Sequence, residues 1–276
     1  MEPEPTTRSS TRTALSVAGV DPSGGAGLAA DLAVFNRFGL HGTAVVTLLT
    51  AQNTRRVSAV RPVDAGFVLD QLEAVLGDVP PAAAKTGALG TAELIRAVAE
   101  RAERFSFPLV VDPMMVSKHG DPLIDGDAVA ALREHLLPRA TLLTPNRHEA
   151  ARLLGREVGT VDQAEDAARA LVDLGAGAAL VKGGEHGGRS VDVLCSGGEV
   201  RRLDAGWIDT DRTHGSGCVL SAAVTAGLAG GRPLGEAVDA AKRFVTEAIR
   251  TAPGLGGGRG PLNLLAQPAT HRTHGR

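Results

Sequence analysis

The chain has no tyrosine, one tryptophan and six phenylalanines in 276 residues, so any core it builds must be mostly Val, Leu and Ala. It also lacks a basic stripe interleaved with aromatics, and with a net charge of −2 this argues against nucleic-acid binding. Only two cysteines are present, Cys195 and Cys218. They make no disulfide framework and point to a reducing, cytoplasmic setting. No apolar run reaches the roughly 18 residues of a membrane span. The 35 glycines and 15 prolines stay below the roughly 25–30% that would suggest low complexity. Residues 1–13 are polar, lack the apolar stretch of a secretory signal and read as a disordered extension. Residues 14–265 read as one folded domain without internal repeat, and residues 266–276 as a flexible tail.

What is there is an alternation. Short apolar, β-branched runs (14–19, 43–50, 82–86, 109–112, 141–144, 178–182) are separated by stretches with helical periodicity, such as Leu28, Leu32 and Phe35 or Val68, Leu72, Val75 and Leu76. Asp64 and Thr91 stand where helix caps belong, and Thr160 with Gln163 matches a capping box. Gly197-Gly198 between two strand-like runs signals a hairpin. The pattern predicts an α/β fold with a mostly parallel central sheet and helices on both faces. Ligands in such sheets bind beyond the carboxyl ends of the strands. Asp21, Gln52, Asp112, Asn146, Glu149 and Lys182 all stand at those ends.

The stretch Thr213-His214-Gly215-Ser216-Gly217-Cys218 leads into an Ala-rich helical pattern. Glycines at a loop-to-helix junction expose unpaired N–H groups at the positive end of the helix dipole, a setting for an anion. A thiol in that first turn is expected to have a lowered pKa, which would make Cys218 a base. The plain alternative is a turn before a buried helix with an inert thiol. Asp112-Pro113 ends a strand, and its carboxylate suits either a water-bound Mg²⁺ or a turn. Asn146 and Glu149, three apart, either add to that metal site or cap their own helix. Lys182-Gly183-Gly184 is a phosphate reader or an ordinary turn. Asp31 lies one helical turn beyond Gly27, where a solvated residue is the usual outcome. Gly24-Gly25-Ala26-Gly27 lacks the spacing of a dinucleotide fingerprint, which removes a nicotinamide dehydrogenase.

In joint order these segments resemble the hydroxymethylpyrimidine/phosphomethylpyrimidine kinases of thiamin synthesis, within the ribokinase-like superfamily. The matching pieces run from Ala18-Gly19-Val20-Asp21-Pro22-Ser23 with the glycines after it, through Thr50 to Thr54, Val111-Asp112-Pro113, Thr144-Pro145-Asn146 with Glu149, and Val181 to Gly184, to Asp209-Thr210 with Thr213 to Cys218, and Lys242. The resemblance implies a three-layer fold, ATP and Mg²⁺ as cofactors, and a homodimer. It implies phosphorylation of 4-amino-5-hydroxymethyl-2-methylpyrimidine and then of its monophosphate. By position it assigns Gly19, Asp31, Gln52 and Met114 to the pyrimidine, and Cys218 with Gly215, Ser216 and Gly217 to catalysis. Asn146, Lys182, Thr213 and Lys242 fall to the nucleotide, and Asp112 and Glu149 to the metal. Ser216 stands where the family usually has Thr, and Met114 where it usually has Val. Two other readings compete: a pyridoxal-type kinase of the same superfamily, and a pyrimidine-binding regulator without catalysis.

Overall fold

Residues Thr13–Val20 form the first strand, β1, with every position from Ala14 to Gly19 buried. Burial on both faces follows from its place in mid-sheet, parallel to β2 (His41–Gln52) on one side and to β4 (Ala83–Thr86) on the other. The computed structural model describes residues 11–115 and 126–267. The first ten residues of the expected extension, and the tail from residue 268, lie outside the described residues. Described residues just outside 14–265 are bonded to the fold. Arg12 Nη1 donates to the Ala229 carbonyl at 3.1 Å, and the Ala266 carbonyl accepts Arg37 Nε at 2.8 Å.

The parallel set continues through β5 (Leu109–Val111), β6 (Leu142–Leu143) and β7 (Ala178–Val181). Antiparallel strands close both edges. β3 (Val57–Pro62) pairs with β2 on one. On the other, β9 (Arg189–Ser196) pairs with β7, and β10 (Glu199–Gly206) and the short β8 (Glu185–His186) pair with β9. The strand order is β10-β9-β7-β6-β5-β4-β1-β2-β3. The β9–β10 turn uses Gly197 and Gly198 with φ of 59° and 82°, the left-handed pair that such a hairpin favours.

Two cores lie on opposite faces, and the strands feed them alternately. Leu109, Val111, Leu143 and Val181 pack with helices α2 (Ala65–Asp78), α3 (Ala92–Ala102), α4 (Gly126–Ala131), α5 (Arg147–Leu154) and α6 (Val161–Asp173). Val110, Leu142 and Leu180 pack with α1 (Gly27–Arg37), α7 (Ser216–Ala229) and α8 (Leu234–Arg250). This period-2 division gives the three-layer architecture. The expected caps form: Asp64 accepts from Phe67 N–H, Thr91 from Leu94 N–H, and Thr160 and Gln163 cap each other.

Three local features depart from the regular patterning. β3 carries no apolar alternation because it is a half-exposed edge strand, where Arg61 and Pro62 are tolerated. Its pairing carries β2 on to Gln52, past the run 43–50 read from the sequence. Helix α4 is regular only to Ala131. It widens into a π turn over Leu132–Leu136 and tightens over Leu137–Arg139, where Pro138 cannot supply the next N–H.

Candidate active site

The carboxyl ends of the parallel strands open into a cavity of about 860 Å³. Twelve of the fourteen expected site residues line it: Gly19, Gln52 and Met114; Asn146, Glu149, Lys182, Thr213 and Lys242; and Gly215 to Cys218. Asp31 and Asp112 do not reach the wall.

α7 begins at Ser216, three residues ahead of the helical pattern that starts at Val219, with Gly215 as its left-handed N-cap at φ 79°. The Ser216 N–H returns to the Thr213 carbonyl and the Val219 N–H to that of Gly215. The N–H groups of Gly217 and Cys218 find no backbone acceptor among the described residues. They form the unpaired first turn that favours an anion. Lys182 Nζ lies 3.2 Å from where a Gly217 Cβ would stand, so the loop and the cation face one point. Its ammonium is held charged: burial opposes the charge, but Asp112 and Glu149 outweigh it and raise the pKa.

Cys218 corrects an expectation. It is buried, and desolvation pushes its thiol up to about 11, with Lys85 only partly offsetting this. The helix terminus does not produce a thiolate, because the sulfur has left water and the Asp112 and Asp31 charges lie near. Near neutral pH Cys218 is a protonated group that can orient a hydroxyl.

Asp31 also stands elsewhere than expected. The α1 turn directs it down onto the sheet, where it accepts from Ser16 Oγ at 2.6 Å and Lys85 Nζ at 2.8 Å, all three fully buried. Burial raises the Asp31 carboxyl and opposes the Lys85 charge, but the attraction between them keeps the lysine pKa raised. We read an ammonium–carboxylate pair, with the buried Lys85 lying just beneath the cavity wall. A lysine within the buried run Ala-Ala-Lys-Thr was the sequence signal for it, since such a charge needs a partner.

Asp112 lies behind the glycine loop, taking Ser221 Oγ at 3.2 Å and Lys182 Nζ at 3.4 Å. Asn146 and Glu149 make the capping box: Asn146 Oδ1 accepts the Glu149 N–H at 2.9 Å and Glu149 Oε2 the Asn146 N–H at 2.8 Å. Burial raises the Glu149 carboxyl to about 7, with Lys182 opposing and Asp112 adding to the shift. The capping alternative is thus realised without removing Glu149 from the cavity. No cluster of three or more His, Cys, Asp or Glu groups suited to a metal occurs among the described residues. A Mg²⁺ ion asks for less, one or two carboxylates with water and substrate phosphates, and Glu149 with Asp112 behind it meets that need.

On the opposite wall, His214 Nε2 lies 2.7 Å from Asp21 Oδ2 and 3.5 Å from Gln52 Nε2. Burial works against the Asp21 charge, but the bonds from His214 and Ser23 hold its carboxyl below the ordinary value. The pair ties the anion loop to the end of β1. The sequence puts Asp21 at a strand end and His214 in the glycine loop, and gives no sign of their contact, which spans 193 positions.

A phosphomethylpyrimidine kinase family model matches residues 21–263. A hydroxymethylpyrimidine/phosphomethylpyrimidine kinase of Rhizobium meliloti is 48% identical over 258 residues, 92% of this chain and 97% of that one. Among solved structures, an ADP complex of Bacillus subtilis pyridoxal kinase matches with a TM-score of 0.86 at 37% identity, covering 93% of this chain and 98% of that one. A phosphomethylpyrimidine kinase of Clostridium difficile matches with a TM-score of 0.77, also at 37% identity, over 87% and 100% of the two chains. No described helix is long and apolar enough to cross a membrane. A match that begins at the Asp21 tether, ends beyond the last helix and takes in all of the cavity wall except Ala18, Gly19 and Val20 places the chain in the phosphomethylpyrimidine kinase family.

Proposed function

We propose that the protein transfers the γ-phosphoryl group of ATP to the hydroxymethyl oxygen of 4-amino-5-hydroxymethyl-2-methylpyrimidine, and then to the resulting monophosphate, in thiamin synthesis. The observation that carries this reading is the facing of the unpaired Gly217 and Cys218 N–H groups and the Lys182 ammonium, with Gln52 across the same cavity. In the first step the alcohol oxygen bonds to the γ-phosphorus as the bond to the ADP oxygen breaks, and the alcohol proton leaves with solvent or a phosphate oxygen. A loose transition state asks for alignment and charge neutralisation more than a strong base. The loop N–H groups and Lys182 would take the equatorial charge, Lys242, Asn146 and Thr213 the rest of the nucleotide, and Glu149 with Asp112 would hold Mg²⁺, which supplies further neutralisation. Gly19, Gln52 and Met114 would seat the ring; Asp31 acts only through Lys85. The homodimer implied by the resemblance would cover Leu49, exposed beside the edge hairpin. Incubation with Mg-ATP and the pyrimidine alcohol should give monophosphate and then diphosphate. Absence of both products would sink the reading.

The protonated state of Cys218 makes a definite expectation. Cys218→Ser keeps a hydrogen-bonding group and should retain kcat within ~10-fold, whereas Cys218→Ala should lose ~10² through a misplaced hydroxyl. Single-turnover rates at saturating ATP decide it. Serine as poor as alanine would restore the thiol as a base.

The structural likeness to a pyridoxal kinase favours one second reading, a preference for pyridoxal. Gln52 argues against it. Its Oε1 takes the Thr50 hydroxyl at 3.2 Å, while its Nε2 sits at a long 3.5 Å from His214 and is available to a ring. An aminopyrimidine edge offers an amino donor beside a ring-nitrogen acceptor, a pair that pyridoxal lacks. The wild type should favour the pyrimidine alcohol by at least ~10-fold in kcat/KM, one lost hydrogen bond being worth about 1–3 kcal/mol. Gln52→Leu should erode that ratio by damaging pyrimidine turnover. Competition of the two alcohols for limiting enzyme measures it, and equal use by the wild type would favour the pyridoxal reading.

A further inference from the structure

The wall that carries Lys182 and Lys242 also carries a carboxylate with no role in the reading above. Asp192, near the middle of β9, is buried and lines the cavity. A carboxylate facing a polyphosphate repels it, so its presence there asks for a reason. Its Oδ2 accepts Lys242 Nζ at 2.6 Å, and its Oδ1 accepts the Gly183 backbone N–H at 3.1 Å. Lys242 donates a second bond to Ser190 Oγ at 3.1 Å, from the residue two back on the same face of the strand. An ammonium has three hydrogens. Two are thus fixed against β9, and with the Ser190 carbonyl oxygen a longer 3.5 Å away the seat sets where the ammonium stands.

The Gly183 contact extends the control to the other lysine. The backbone at Gly183 is pressed against β9 so closely that an added Cβ would overlap the Val191 carbonyl oxygen. The residue before it, Lys182, reaches from this turn to Asp112 at 3.4 Å and to the neighbourhood of Gly217. One side chain therefore joins α8, β9 and the end of β7.

We propose that Asp192 is a positioning residue for the phosphate-binding cations: it seats Lys242 directly and the Lys182 turn through the Gly183 N–H, so that a nucleotide meets two lysines already in place. The proposal rests on the kinase reading above. The electrostatic cost of the carboxylate is accepted because a flexible lysine would otherwise have to be immobilised on binding, and pre-seating removes that cost.

The test is ADP binding to the full chain by calorimetry, a readout that needs no pyrimidine substrate. Asp192→Asn can still accept the Gly183 N–H but loses the ion pair, and should weaken ADP binding ~10-fold with a melting temperature close to wild type. Lys242→Met should weaken it comparably. In the Lys242→Met background, Asp192→Asn should add less than ~2-fold, the non-additivity expected of partners in one contact. Lys242→Arg keeps the charge but displaces it from the seat, and should also weaken ADP binding should the asparagine variant fold poorly. Tighter or unchanged ADP binding by Asp192→Asn would show that the carboxylate only competes with phosphate, and would overturn the proposal. An equal loss in both backgrounds would do the same, by revealing a general structural role. A wild type that binds no ADP would overturn the kinase reading and this proposal together, whereas ADP binding without phosphorylation of the pyrimidine would strike only the choice of acceptor.

Discussion

Gly215→Ala should cost at least ~10³ in kcat, the loss expected when two donors aimed at a transferring group move together, each worth ~10²–10³ alone. Gly215 sits at φ 79°, where an L side chain is strained, and an added Cβ would overlap the Gly25 carbonyl oxygen. The obstacle is backbone and cannot swing aside. Relief requires the Gly215–Cys218 turn and the Gly25–Gly27 turn to separate. That separation carries the Gly217 and Cys218 N–H groups away from Lys182, and it breaks the bond from the Gly27 N–H to the Cys218 sulfur. Ser216→Thr is the control, since it adds one methyl and keeps the hydroxyl; it should stay near wild-type turnover. Rapid-quench measurement of the phosphoryl-transfer step separates this from slow product release. Near-normal transfer in Gly215→Ala would mean the N–H groups do not stabilise the transition state.

Lys85→Met should lower stability by about 3–5 kcal/mol, the usual result of removing one partner of a buried ion pair. In a chain of this size that is a fall of roughly 6–20 °C in melting temperature. The variant leaves Asp31 fully buried with Ser16 as its remaining partner, and its Oδ1 already has none among the described residues. The deficit should depend on pH in a definite direction. Burial raises the Asp31 carboxyl, so without Lys85 the folded state holds a proton that the unfolded chain releases near its ordinary value of 3.8. Stability of the variant then falls as pH rises from that value toward the raised folded pKa, and Lys85→Met should compare best with wild type in acid. Adding Asp31→Asn should recover more than half of the loss, because the uncompensated charge is gone. Calorimetric melts of the four proteins at pH 5 and 8 form the cycle. Additive losses would show that the two residues contribute separately, and a pH-independent deficit would point to lost packing of the lysine stem.

The alternation of apolar strands with periodic helices determined the three-layer sheet, because each face of a parallel sheet must be covered and each helix must bury one stripe. Caps at Asp64, Thr91 and Thr160 were legible because capping is local, a side chain reaching three residues along its own chain. The rule that ligands bind at strand carboxyl ends gathered Gln52, Asn146, Glu149 and Lys182 to one cavity before any coordinates, and the glycine loop declared itself by its place ahead of a helix. β3 escaped, since an edge strand buries little and leaves no periodic mark. Only tertiary structure decided which way the polar groups face and what charge they carry. Asp31 turned to Lys85 across 54 positions, Asp21 to His214 across 193, and Asp192 to Lys242 across 50. These pairings depend on how elements stack, which a one-dimensional period does not encode. The state of Cys218 belongs with them. A helix start lowers a thiol pKa only while the sulfur keeps its water, and the packing of α7 against α1 and the sheet removed it.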